Sequence, residues 1–209
     1  MEKWEHLFEQ KIRAIFSAKD PAHDYLHFKR VVTSAKKLCA IEKADMAVVV
    51  PAAWLHDLVN LAKNDPRRSQ ASRMSADAAL SYLKEIAYPS EHYDGIYHAI
   101  EAHSFSANIK CQSLEAEIIQ DADRMDSLGA IGVGRCFATA GLLERSIYSE
   151  NDPFCRKRQP DDMAYTIDHF YQKLFKIVGL LNTVSGRKEG ERRLRFIESF
   201  LHQLESEIG

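Results

Sequence analysis

Residues 48–57 read VVVPAAWLHD, an apolar run that ends in a histidine and an aspartate. The three valines alone would suit a strand. The length of the run and its Ala-Ala-Trp-Leu continuation favour instead a buried helix with Asp45 as its N-cap. Pro51 then lies inside this helix, where it removes one backbone hydrogen bond and introduces a kink. A charged pair beside such a run needs compensation, so His56 and Asp57 are the first candidates for a functional site.

Helical periodicity continues on both sides of this run. Residues 24–40 place six apolar side chains on one helical stripe, at the spacing of a buried helix face. They are Tyr25, Phe28, Val31, Val32, Ala35 and Leu38. Further helices are predicted at 45–58, 69–87, 91–103, 113–124, 131–147, 163–183 and 187–207. Because no segment alternates with period two for long, the sequence predicts an all-α fold, a helical bundle.

The polar loop at 149–162 is the only candidate for a domain boundary in the sequence. The two helices predicted after it are amphipathic and need a partner face. We therefore expect 1–209 to form a single domain, with its core motifs at about 20–130 and the C-terminal helices, about 163–207, packed on the same body.

Composition excludes several classes of protein. The chain has 28 basic and 30 acidic residues and a net charge of −2, which argues against a large basic surface for nucleic acid. No stretch is long and apolar enough for a membrane span, and the N-terminus lacks the apolar segment of a secretion signal. The four cysteines are far apart and suit free thiols in a reducing compartment. The expectation is a cytoplasmic protein without a membrane or nucleic-acid partner.

Three separate helices carry the side chains that could hold a metal. His27 lies in HDYLHFKRVV at 23–32, the His-Asp pair ends the apolar helix, and IIQDADRMDSLGA at 118–130 holds three aspartates that repel one another unless cations are near. Imidazole and carboxylate together suit a divalent metal. From the residues alone, a histidine at a helix C-terminus and a solvated acidic helix end stay as alternatives.

The order His, His-Asp, Asp on successive helices resembles the HD-domain metal-dependent phosphohydrolases, and in particular a branch of small bacterial HD proteins. The resemblance covers about residues 20 to 205. Pro51 and Met125 depart from the usual pattern. The matching motifs are H-D-x-x-H-x-x-R-V from His23, A-x-L-H-D-x-x-N-x-x-K-N from Ala53, R-x-x-x-S from Arg68, H-S-F-S from His103, D-A-D-R-x-D-x-x-G-A-I-G from Asp121, D-H-F from Asp168 and T-x-x-G-R from Thr183.

The resemblance implies a metal site built from four ligands. They are His27, His56, Asp57 and Asp123, with Asp121 as the alternative for the last. Such donors suit Mn²⁺, Mg²⁺, Fe²⁺, Ni²⁺ or Zn²⁺.

Two more histidines could serve a second ion, as in some HD proteins. His98 and His103 are five residues apart, about 140° around a helix, so both are not expected to bind one ion. His103 is interpreted as a residue that contacts either the metal ligands or the phosphate. The alternative is a core histidine whose hydrogen bonds are made within the protein.

The resemblance also implies a phosphohydrolase acting on a small phosphorylated substrate. In this interpretation Asp57 or a neighbouring acid accepts a proton, and Lys63, Arg68 and His103 stabilise charge on the phosphates. Ser72 and Arg124 are further candidates for contacting the phosphates. The alternative for the segment after Asp57 is an ordinary solvated basic loop.

A nucleotide is the expected substrate, with pyrophosphate release from nucleoside triphosphates as the leading reaction. A nucleotide monophosphatase and a non-catalytic protein that binds metal or nucleotide are the alternatives. A di-iron oxygenase and a nuclease are less consistent with the residues, and a homodimer is left open.

Overall fold

The structure is a computed structural model that describes residues 1–16, 24–61 and 65–209. Within these ranges the regular structure is helical. The α-helices are α1 Glu2–Ile15, α2 Tyr25–Glu42, α3 Met46–Leu55, α4 Ala71–Glu85, α5 Tyr93–His103, α6 Leu114–Met125, α7 Gly129–Leu142, α8 Phe175–Ile177 and α9 Val184–Ile208. Four 3₁₀ turns (Arg68–Gln70, Ser90–His92, Phe105–Ala107 and Val178–Leu180) and a π-helical turn at Phe170–Leu174 complete the set. The all-α prediction is confirmed.

The described residues divide into two compact units, Met1–Asp123 and Arg124–Gly209. In the first unit α3 packs against α1, α2 and α5, and α4 packs against α5. Every residue of α3 from Val48 to Leu55 is buried, as its uninterrupted apolar sequence requires. The candidate metal ligands all belong to this unit.

In the second unit α7 packs against α9. Its core is formed by Leu128, Ile167, Phe170, Leu174, Ile177, Ile197 and Leu201. The expectation that 1–209 forms one domain stays a prediction. No helix in the described residues has the length and apolarity that a bilayer crossing requires.

The start of α3 is as the sequence predicts. Asp45 is the N-cap, and its Oδ1 accepts a hydrogen bond from the Ala47 amide at 2.8 Å. Pro51 lies inside the helix and has no amide hydrogen for the Ala47 carbonyl oxygen, which instead accepts a hydrogen bond from the Tyr88 hydroxyl at 2.7 Å. The kink expected there stays a prediction.

The largest differences from the prediction are one missed helix and two displaced helix boundaries. Helix α1 lies before the first predicted helix and was not predicted, although Trp4, Phe8 and Ile12 recur at helical spacing in it. Helix α7 ends at Leu142 instead of 147, because Glu144 adopts a left-handed conformation with φ 53°. The helix predicted over 163–183 is wrong in its first five residues, which form turns and the bridge from Tyr165 to Ser146.

Candidate metal centre

His27 is placed by the N-terminal cap of α2. Asp24 is the N-cap, and its Oδ1 accepts the His27 amide hydrogen at 2.9 Å. His27 is therefore fixed in the first turn, and its ring is buried beside Phe28 and His56, with ring centroids 5.6 and 5.5 Å away. The capping aspartate follows His23, which lies outside the described residues.

His56 directly follows α3 and is completely buried. Its Nδ1 donates to the Ala53 carbonyl oxygen at 2.9 Å, which leaves the lone pair on Nε2. That Nε2 is buried and has no hydrogen-bond partner among the described residues. The nearest carboxylate oxygens, from Asp57 and Asp123, are 3.6 and 3.9 Å away, which is too far for a hydrogen bond.

The protonation of His56 agrees with this arrangement. Burial lowers the pKa of His56 to about 4, although Asp57 and Asp123 oppose the shift. A neutral imidazole that donates one ring N–H to a carbonyl and presents the other nitrogen to a site is in the state a metal ligand needs.

The four proposed ligands are brought together. Donor atoms of His27, His56 and Asp57 all lie within 4.8 Å of one another. Asp123 Oδ1 lies 3.5 Å from His27 Nε2 and 3.9 Å from His56 Nε2. Since metal–ligand bonds are roughly 2.0–2.2 Å, two ligands of one ion lie about 3–4 Å apart, so the donor set fits a divalent cation.

The geometry of α6, which carries both Asp123 and Asp121, distinguishes the two residues as metal ligands. Two residues are about 200° apart around α6, so their side chains leave opposite sides of it. Asp123 reaches the imidazoles and is 30% exposed, whereas Asp121 is completely buried. This geometry supports Asp123, and the assignment of the ligand set stays a prediction.

His103 also reaches the cluster. Its Nδ1 lies 2.6 Å from the Ile100 carbonyl oxygen and its Nε2 lies 3.3 Å from Asp57 Oδ1. Both ring nitrogens therefore face acceptors, which favours the imidazolium. Burial lowers the pKa of His103, but the hydrogen bond and charge of Asp57 outweigh it and raise the pKa to about 9.

Asp57 responds in the opposite direction. Burial raises the pKa of Asp57, yet His56, His103 and His27 together hold it well below its usual range. The carboxylate is 26% exposed while the three imidazoles are buried, so the carboxylate side is where a substrate can approach.

The other predicted residues are arranged differently. Arg68 donates from Nη1 to the Leu61 carbonyl oxygen at 2.6 Å, which ties together the two ends of the segment after Asp57. Lys63 lies outside the described residues. The interpretation of Arg68 and Lys63 as phosphate-binding residues stays a prediction.

Three other candidates have structural contacts instead. Ser72 is buried, and its hydroxyl donates to the Glu101 carbonyl oxygen at 2.9 Å, so it joins α4 to α5 instead of facing an anion. His98 Nε2 accepts the Gln112 amide hydrogen at 2.9 Å and is not part of the metal-ligand group found in the described residues. Arg124 donates to the Leu180 carbonyl oxygen in the second unit.

The late motifs also have structural explanations. Asp168 is completely buried and accepts from the Arg158 guanidinium, with 2.7 Å between its Oδ1 and Arg158 Nη2. Thr183 is the N-cap of α9 and accepts the Gly186 amide hydrogen at 3.0 Å. Arg187 donates to carbonyl oxygens that precede α9. These residues hold the second unit together.

Sequence reasoning missed the backbone groups that orient the imidazoles. His56 and His103 each donate to, or face, the carbonyl oxygen three residues earlier, that of Ala53 and Ile100. The signal was available, because both histidines end an apolar helix and a residue there can turn its ring back on the last turn.

Comparison with known proteins points to one family. The family model for the HD domain matches residues 24–128. YpgQ, an uncharacterised protein of Bacillus subtilis (strain 168), is 30% identical over 201 residues, which cover 94% of this chain and 90% of YpgQ.

Solved structures agree with that match. The crystal structure of Bacillus subtilis YpgQ in complex with ADP has a TM-score of 0.77 and 26% identity, and the match covers 99% of this chain and 95% of that one. An HD-superfamily hydrolase from Bacillus thuringiensis has a TM-score of 0.74 and 30% identity, with 99% and 95% coverage.

Proposed function

The chain belongs to the HD-domain family, and on that premise we propose that it is a metal-dependent phosphohydrolase acting on nucleotides. The single observation that carries this proposal is the buried His56 Nε2, whose lone pair faces two carboxylates without a hydrogen-bond partner among the described residues. A buried polar atom in this state is costly unless a ligand completes it. A divalent cation is the ligand that two imidazoles and two carboxylates suit.

His27, His56, Asp57 and Asp123 would hold the ion. When bound, it supplies a Lewis acid that lowers the pKa of water and polarises a phosphoryl oxygen. The buried imidazoles, which stack edge to face with one another, fix the closed side of the site. The two partly exposed carboxylates face the side that a phosphate can reach.

The remaining roles follow from charge. Asp57 is ionised, with its Oδ1 facing His103 Nε2 and its Oδ2 facing His56 Nε2, and the proposed role of accepting a proton falls to Asp57 or to a neighbouring acid. His103 carries a positive charge next to the site and can stabilise charge that develops on a phosphoryl group. Lys63 and Arg68 follow Asp57 in the chain and are proposed to neutralise the outer phosphates of a polyphosphate.

The substrate class rests on a relative. YpgQ was crystallised in complex with ADP, and its structure matches nearly the whole chain. We propose that this chain releases pyrophosphate from nucleoside triphosphates. A nucleotide monophosphatase and a protein that binds metal and nucleotide without turnover are the alternatives.

The test is a nucleotide panel with the Mn²⁺-loaded protein. Mono-, di- and triphosphates of the four bases are incubated, and phosphate and pyrophosphate are measured separately. Pyrophosphate from triphosphates alone is expected. Phosphate from monophosphates alone would favour the monophosphatase, and binding without release would favour the non-catalytic protein.

Variants connect the activity to the cluster. His56→Ala should abolish release, because it removes a donor atom at the centre of the site. The matched control is His98→Ala, a histidine of the same unit that is bound to the Gln112 amide instead. Activity that survives in His56→Ala would show that the site is elsewhere.

A further inference from the structure

A phenylalanine stands exposed directly after the last histidine of the site. Helix α5 ends at His103, Ser104 is extended, and Phe105 opens the 3₁₀ turn Phe105–Ala107. The Phe105 side chain is 73% exposed, although it has no polar atom to place in water. Single exposed apolar residues are common, so the exposure means something only through its position.

Phe105 lies two residues after His103, whose Nε2 is 3.3 Å from Asp57 Oδ1 in the metal-ligand cluster. Its Cα is at most about 7.6 Å from that of His103, because consecutive Cα atoms are 3.8 Å apart. The turn Phe105–Ala107 packs against the turn Arg68–Gln70, which ends the segment that follows Asp57. Phe105 therefore lies where the segments leaving His103 and Asp57 meet.

The turn that presents Phe105 is shaped by its neighbours. The hydroxyls of Ser104 and Ser106 are hydrogen-bonded at 2.9 Å. Asn108 ends the turn with φ 52°, a left-handed conformation that asparagine tolerates better than most residues. A phenylalanine side chain has only two χ angles, so ordering its ring under a ligand costs little conformational entropy.

We propose that the Phe105 ring stacks on the base of the nucleotide substrate. The inference rests on the proposed function and adds the group that recognises the base. Phosphates bound at the cluster leave the base one ribose away, out of reach of His27, His56 and the carboxylates. Every base has a π-face, and stacking on an aromatic side chain is tolerant of sequence.

The chemistry also sets the selectivity. Phe105 offers no donor or acceptor to a base edge, so it selects for the presence of a base and not for one base. Purines overlap the ring more than pyrimidines do, so the contribution of Phe105 is larger for purine nucleotides.

The experiment compares a ligand that has a base with one that lacks it. ADP and inorganic pyrophosphate are titrated calorimetrically into the Mn²⁺-loaded wild type, Phe105→Ala and Phe105→Tyr. The control is Ile41→Ala, since Ile41 is also an exposed apolar residue of this unit, at 66%. It lies fourteen residues after His27 on α2, about 21 Å along the helix axis.

Phe105→Ala should weaken ADP binding at least about fivefold. Stacking of one base on an aromatic side chain contributes ~1–3 kcal/mol, and the lower end of that range corresponds to about fivefold in affinity. Pyrophosphate binding should be unchanged, Phe105→Tyr should bind ADP within about twofold of wild type, and Ile41→Ala should match wild type.

Three outcomes would overturn the inference. Unchanged ADP affinity in Phe105→Ala removes it while the proposed function stands. Equal losses for ADP and pyrophosphate show that the substitution disturbs the phosphate site instead. A wild type that binds neither ligand removes the proposed function, and the inference falls with it.

Discussion

His56→Leu separates the metal-binding role of His56 from its role in packing. The substitution places an apolar side chain of similar size in the buried position and removes both ring nitrogens. Because burial keeps the pKa of His56 near 4, the imidazole is neutral at pH 7 and no ion pair is lost. We expect a protein that folds, does not bind Mn²⁺ and is inactive.

The magnitude follows from the two nitrogens. In the metal-free wild type the unpartnered Nε2 costs about 1–3 kcal/mol, and leucine removes that cost. Loss of the bond from Nδ1 to the Ala53 carbonyl costs about 1 kcal/mol. The metal-free variant should therefore be as stable as the metal-free wild type, or more stable by up to about 2 kcal/mol.

Bound Mn²⁺ should make the wild type more stable than the His56→Leu variant. At a hundred times its Kd, Mn²⁺ stabilises the wild type by about 2.7 kcal/mol. For a chain of this size about 2–4 °C of Tm correspond to 1 kcal/mol, so the wild-type Tm should rise by about 5–11 °C. The His56→Leu Tm should not move.

The assay is thermal unfolding followed by circular dichroism in EDTA and in Mn²⁺. His98→Leu is the matched control, because it loses the contacts of both ring nitrogens, to the Gln112 amide and the Glu101 carboxylate, in the same unit and should keep the whole Mn²⁺ shift. A His56→Leu protein that gains as much Tm from Mn²⁺ as the wild type would refute the reasoning, as would a metal-free variant destabilised by more than about 4 kcal/mol.

Three further predictions address the neighbouring assignments. Asp123→Asn should lower Mn²⁺ affinity in a direct titration, whereas Asp121→Asn should leave it unchanged; the reverse result would exchange the two roles. Asp168→Asn should destabilise the protein by up to about 3 kcal/mol in urea at pH 7, because the partly buried Arg158 loses its carboxylate. Since the pKa of Asp168 is lowered by Arg158 despite burial, its contribution is present above about pH 4 and is lost as the pH falls below the lowered value, so wild type and variant should converge in acid. Ser72→Ala should cost about 1 kcal/mol of stability without changing KM, because its hydroxyl bonds a buried carbonyl.

The sequence predicts most of the fold because most helices carry a strong apolar period. Asp45 and the run that follows it determine α3, cap included. The sequence misses α1, which buries two side chains, and misplaces the start of the helical segment before α8. There the buried Asp168 holds the preceding loop, a long-range contact that periodicity does not record.

The site was predictable in part for a similar reason. The types and order of His27, His56 and Asp57 indicate a metal centre, but their distances depend on how helices pack. The choice between Asp123 and Asp121 could not be made from spacing, because both follow the same buried turn. The charge of His103 was also hidden, since it depends on the distance to Asp57.

The placement of the cluster at helix ends supports the proposal that it binds a cation. His56 follows α3, His103 ends α5 and Asp123 lies in the last turn of α6, so three helix C-termini supply side chains to it. Helix C-termini carry negative partial charge, which adds to the two carboxylates and favours a divalent ion and an imidazolium. His27 lies at the N-terminus of α2, whose partial charge is positive, so one helix end opposes the other three. The same field repels a phosphate. Under the proposed function, an anionic substrate would therefore need the cation, His103 and the basic segment after Asp57 to attract it, so phosphate binding is expected to depend on metal.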